Sequence, residues 1–159
     1  MNEPLSGQMA ARRAWLSLLA RASRTELETA LQAVFEGAPL PAFDWLRAPQ
    51  TGLAMVRGRT GGSGNPFNAG EATVTRAVMR LRSDDGVAPV GIACQLGRDK
   101  RRAELAALAD ALLQMPARNE ALRTHLLQPV TRRLEAERQA RQADAAATRV
   151  EFFTMVRGE

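Results

Sequence analysis

Apolar residues recur at helical spacing at both ends of this chain and at strand spacing in its middle. Trp15, Leu18, Leu19 and Ala22 follow a three-then-four spacing, which places them on one face of a helix. Ser23-Arg-Thr-Glu26 reads as a capping box that opens a second helix, with Leu27, Ala30, Leu31 and Val34 as its apolar face. Gly37, Pro39 and Pro41 stop it. Phe43–Arg47 and Leu53–Arg59 are short strand candidates, and Ala72–Arg82 a longer one rich in Thr and Val. Alternation in the latter puts Thr73, Thr75, Ala77, Met79 and Leu81 on one face and Val74, Arg76, Val78, Arg80 and Arg82 on the other. Asp84-Asp85-Gly86 is a strong hairpin turn leading to a return strand, Val87–Leu96. Pro89 within that strand implies an edge position or a bulge.

The last third is helical. Asp99 is placed as an N-cap, followed by the stripe Leu105, Leu108, Ala109 and Leu112, with Pro116 ending the helix. A short helix around Asn119–Leu127 comes next, and Pro129 sits where another could start. From Thr131 to Thr148 the chain is almost all Ala, Arg, Glu and Gln, with Leu134 its only large apolar side chain. Helix propensity there is high, but the apolar face is too thin to hold the helix firmly against a core. The expected architecture is α+β: one domain over residues 1–159, with a mainly antiparallel sheet in the middle and helices from both ends packed on it. Residues 131–159 would form a C-terminal helix and docking tail.

Composition changes this picture little. At 159 residues, 45% hydrophobic and 25% charged, the chain has the size and balance of a soluble globular domain. No apolar run approaches the ~20 residues of a membrane span. Arg12-Arg13 before Trp15–Ala20 looks faintly like a twin-arginine signal, but the run is short and Arg21 interrupts it, so it reads as a helix and nothing argues for export. The single cysteine, Cys94, precludes an internal disulfide, which fits a reducing cytoplasm; on an apolar strand it is expected to be buried. All but one of the 22 basic residues are arginine, a residue suited to bidentate contact with carboxylate or phosphate. With 17 acidic residues interspersed, a net charge of +5 argues only weakly for nucleic acid.

Chemistry-bearing motifs are sparse. Gly61-Gly-Ser-Gly64 lacks the Gly-Lys-Ser/Thr of a phosphate loop, and strand rather than helix follows it. A plain inter-strand connection is its simpler reading; an anion nest flanked by Arg59 and Arg76 is the other. Arg98 and Lys100, at a predicted helix start, could hold an anion together with free backbone N–H groups, although Asp99 competes for those groups. His125 is the lone histidine and has no ligand-spaced companions, which disfavours a metal site supplied by this chain alone, and no catalytic residue can be named. Val150, Phe152, Phe153, Met155 and Val156, with Arg157 beside them, crowd the last ten residues. Such a cluster must fold back on the core or dock into another subunit, and the weak helix before it favours docking.

Three segments carry a resemblance beyond class. They are Arg57–Arg76, which holds five of the twelve glycines, then Leu96-Gly-Arg-Asp-Lys100, then Val150-Glu-Phe-Phe-Thr-Met-Val-Arg-Gly158. In order and spacing they resemble the PhnG family, the G subunit of the bacterial carbon–phosphorus lyase core complex, over about Trp15 to Gly158. Glu36–Pro41 is the main departure. The resemblance implies an accessory subunit that works with the H, I and L subunits to transfer the ribose triphosphate of ATP onto an alkylphosphonate, releasing adenine. It further implies a core of G, H, I and J subunits, two copies of each, with an ATP-binding-cassette-type L subunit acting alongside. ATP would be a substrate of the complex, with no cofactor bound by this chain alone. Two other readings stay open: an interaction or regulatory protein unrelated to ATP, and a basic nucleic-acid-binding domain, which steep salt-dependent binding would reveal.

Overall fold

A computed structural model describes residues 3–60, 63–82 and 88–147. Two helices, α1 (Glu3–Leu19) and α2 (Arg24–Phe35), lead into three strands, β1 (Phe43–Gly58), β2 (Phe67–Leu81) and β3 (Val90–Leu96). Then come α3 (Lys100–Leu113), α4 (Pro116–Leu122), a π-helical turn (Arg123–Leu127) and α5 (Gln128–Ala147). The strands form an antiparallel sheet in the order β1-β2-β3, and the helices at both ends of the sequence pack on it, as the α+β reading expected.

α2 starts where the capping box predicts: the Ser23 hydroxyl accepts from the Glu26 N–H, and the Glu26 carboxylate accepts from the Ser23 N–H. Its buried residues are Leu27, Ala30, Leu31 and Val34. α3 is the centre of the molecule. It touches all three strands on one side and α1, α2 and α4 on the other. It is therefore buried around its whole circumference, at Ala103 and at every residue from Leu105 to Leu113, rather than along one stripe. Alanine makes this possible by letting the neighbouring backbone come close. At Gly91 of β3 an added Cβ would lie 1.9 Å from the Ala107 carbonyl oxygen, so only glycine fits.

β1 is one long strand, not two short ones. Register shifts between Trp45 and Arg47 and between Arg47 and Gln50 absorb extra residues around Pro49, so pairing with β2 continues through the irregular stretch. Thr75, Ala77, Met79 and Leu81 of β2 face the helices and are buried, as alternation requires. β3 begins at Val90, so Pro89 precedes it at the edge of the sheet, where its carbonyl accepts from the Leu81 N–H. The Asp84-Asp85-Gly86 turn lies outside the described residues.

α3 ends before Pro116, which instead opens α4 at its first turn. Pro129 likewise sits in the first turn of α5. Because proline brings no N–H, the helix widens ahead of it, and the Gln128 N–H reaches back to the Arg123 carbonyl in a π-type bond. α5 buries Val130 and half-buries Leu134, and every residue from Glu135 to Ala147 is exposed. Its root is held instead by Arg133, which donates to both Glu26 carboxylate oxygens (2.7 and 3.1 Å) and to the Arg21 carbonyl (3.0 Å).

Candidate functional site

Among the described residues the helical side holds the most elaborate polar arrangement, and sequence reasoning missed it. Asp110 on α3 is fully buried, its side chain 0% exposed. It accepts from Arg12 of α1 (2.7 Å to Oδ2, 3.3 Å to Oδ1), from Trp15 Nε1 (2.8 Å) and from the Ile92 N–H of β3 (3.0 Å). Arg12 also donates to the Val90 carbonyl (2.9 Å), as does Gln114 (2.9 Å). The Val90 carbonyl and Ile92 N–H are thus capped by side chains, which closes that stretch of the edge strand. Close by, Gln95 donates to the Leu19 carbonyl, and Arg102 to the Ala20 and Ala22 carbonyls. Those bonds satisfy the orphan C-terminal end of α1. A charged residue inside the apolar run Leu105–Leu113 was the available signal.

A concavity of about 720 Å³ lies beside this network between α1 and the α3–α4 junction. Of its six polar side chains, Arg12, Gln114, Asn119 and Arg123 are engaged in internal hydrogen bonds, and Gln8 and Glu120 complete the lining. Such bonds make the lining a structural support rather than a set of groups converging on a reacting atom. His125 lies exposed on the π-helical turn. Among the described residues no three His, Cys, Asp or Glu side chains gather as metal ligands would.

The opposite face of the sheet is different. Arg76 lies at its middle, exposed, opposite Gln50 on β1 and Cys94 on β3. Cys94 is exposed too, which corrects the expectation of burial: β3 turns Gly91 and Gln95 toward the helices and Ile92, Cys94 and Leu96 away. The β1 bulge opens a small cleft of about 110 Å³ bordered by Arg47, Gln50 and Arg76. Arg59 stands apart, just past the end of β1, about 30 Å along the strand from Gln50 at strand rise. Arg76 therefore does not flank the glycine-rich connection. Arg98 and Lys100 are exposed at the far end of β3, where Gly97 turns the chain with a φ of +98°. The Gly97 carbonyl accepts from the buried Thr75 hydroxyl (2.8 Å), which fixes the turn, and Asp99 caps α3 through the Arg102 N–H (2.9 Å). The four candidate anion-binding residues are thus spread along the sheet rather than gathered at one point. Phe152, Phe153, Met155, Val156 and Arg157 lie outside the described residues, as do Gly61 and Gly62.

Among the described residues no helix is long and apolar enough to cross a membrane. The chain is 48% identical to the alpha-D-ribose 1-methylphosphonate 5-triphosphate synthase subunit PhnG of Rhizobium meliloti (strain 1021) over 151 residues, covering 95% of this chain and 92% of that protein. The family model described as phosphonate metabolism protein PhnG matches residues 10–158, which takes in both faces of the sheet and the helical core around Asp110. The chain belongs to the PhnG family.

Proposed function

We propose that this chain is an accessory subunit of a carbon–phosphorus lyase core complex in phosphonate catabolism. It acts in the cytoplasm with the H, I and L subunits to transfer the ribose triphosphate of ATP to an alkylphosphonate with release of adenine. In the core it assembles with H, I and J subunits, two copies of each. It carries no cofactor of its own, and ATP enters as a substrate of the complex. The observation that carries this reading is the 48% identity, across 95% of the chain, to a protein named as a subunit of that synthase.

Within such a complex, Arg59, Arg76, Arg98 and Lys100, spread along the sheet, contact anionic groups at separate points, either of a polyphosphate or of an acidic partner segment. The apolar tail residues Phe152, Phe153, Met155 and Val156, with Arg157, dock into a neighbouring subunit. The isolated chain, incubated with ATP and methylphosphonate, is expected to release no adenine, as followed by chromatography. Turnover by the chain alone at the rate of the assembled complex would sink the accessory-subunit reading.

A further inference from the structure

The open face of the sheet has a regular chemistry. Across β2 and β3, Val74 lies opposite Leu96, Arg76 opposite Cys94, Val78 opposite Ile92, and Arg80 opposite Val90. Apolar pairs therefore alternate with arginine-bearing pairs. Leu96 is 68% exposed and Ile92 39%, and no described helix covers this side. On β1 the bulge sets Arg47 opposite Val78 and Gln50 opposite Arg76. Neither Arg47 nor Arg76 has an ion pair among the described residues, whereas Asp44, the carboxylate of this face, is held by Arg82 (2.5 Å). The face is therefore apolar and cationic, with two guanidinium groups and one amide bordering the cleft of about 110 Å³.

We propose that this face docks a partner subunit through an apolar segment bearing carboxylates, one of which seats between Arg47 and Arg76. The proposal rests on the accessory-subunit reading above and chooses an acidic protein segment over a polyphosphate as the anion. Guanidinium groups take carboxylates bidentately and are among the charged groups enriched in protein interfaces. A second copy of this chain would set arginine against arginine. The side chains of the chain's own residues 148–159 include two arginines and two glutamates, so their charges balance and they offer the face no acidic excess.

Cys94, the only cysteine and exposed at the centre of the face, is a native reporter. The full chain is co-expressed with the H, I and J subunits, and maleimide labelling of Cys94 in the purified complex is compared by mass spectrometry with labelling of the isolated chain. Labelling is expected to fall about tenfold or more on assembly, and the double variant Arg47→Glu/Arg76→Glu to co-purify at least about tenfold more weakly. Both arginines are exposed, so the isolated variant is expected to keep its thermal midpoint; Leu96→Asp gives an independent disruption of the same face. A wild-type complex that forms with Cys94 labelled as fast as in the free chain, or that tolerates both variants, overturns the proposal and leaves the accessory-subunit reading intact. Protection that comes from a second copy, seen as a doubled mass of the isolated chain, or from an added oligonucleotide, also overturns it. If the wild-type chain captures no subunit, the accessory-subunit reading fails and the proposal falls with it.

Discussion

Asp110 joins three elements through one side chain. Its carboxylate, in the last turn of α3, holds Arg12 and Trp15 of α1 and the Ile92 N–H of β3. Asp110→Ala removes the acceptor, leaves the Trp15 Nε1–H and Ile92 N–H without this partner and leaves Arg12 with only the Val90 carbonyl. Losing one partner of a buried ion pair costs about 3–5 kcal/mol, and a loss near the lower figure is expected in urea unfolding, because Arg12 is one-third exposed. Glu26 gives a second residue-scale prediction. Burial pushes its carboxyl upward, but hydrogen bonds from Arg133 and Ser23 outweigh this and hold it below the ordinary value. A depressed folded value means the stabilisation is complete above the unfolded pKa of about 4.3 and is lost as pH falls through the folded one. Glu26→Gln should therefore melt lower than wild type at neutral pH, and the gap should close on acidification. A gap that stayed constant with pH would assign the effect to packing. The capping role of Glu26 was legible, since Ser-x-x-Glu before an apolar stripe has one common meaning. Its second role as the anchor of Arg133 was not, because the two lie 107 positions apart.

At the scale of elements, close approach of α3 to the sheet depends on Gly91. Gly91→Ala would press a methyl group onto the Ala107 carbonyl, which is backbone and cannot rotate away. A destabilisation of about 1–3 kcal/mol is expected from denaturant unfolding, since the helix must shift off the strand. An unchanged midpoint would mean that α3 and β3 are not in contact there. Alternation read β2 correctly, because its two faces meet different surroundings. β1 read as two fragments because Pro49 and the neighbouring bulges break the alternation while pairing with β2 continues. α3 read as a one-sided helix because its alanines gave no sign that neighbours lie on every side. Cys94 read as buried because an apolar strand at the edge of a sheet with one open face looks, in sequence, like a core strand.

Among the described residues the molecule is a sheet filled on one face and open on the other, with α5 anchored at its root and exposed along the rest. Such a helix gains little from its own core. The four apolar side chains at positions 152, 153, 155 and 156 would each contribute roughly 1.5–3 kcal/mol if fully buried in a partner. Truncation after Arg149 is therefore expected to leave the thermal midpoint nearly unchanged while abolishing capture of the partner subunits. A sharp fall in the midpoint would place the tail in the chain's own core. Family membership was legible from the glycine-rich segment, the Leu96–Lys100 turn and the C-terminal motif. Only the middle one has a visible structural reason: Gly97 takes the left-handed φ, Thr75 pins its carbonyl, and Asp99 starts α3. The most direct test of the accessory-subunit account is omission and add-back. Adenine release from ATP and methylphosphonate is measured with the H, I and L subunits, with and without this chain. The account predicts negligible release without it and recovery when the purified chain is added; full release in its absence would contradict the account.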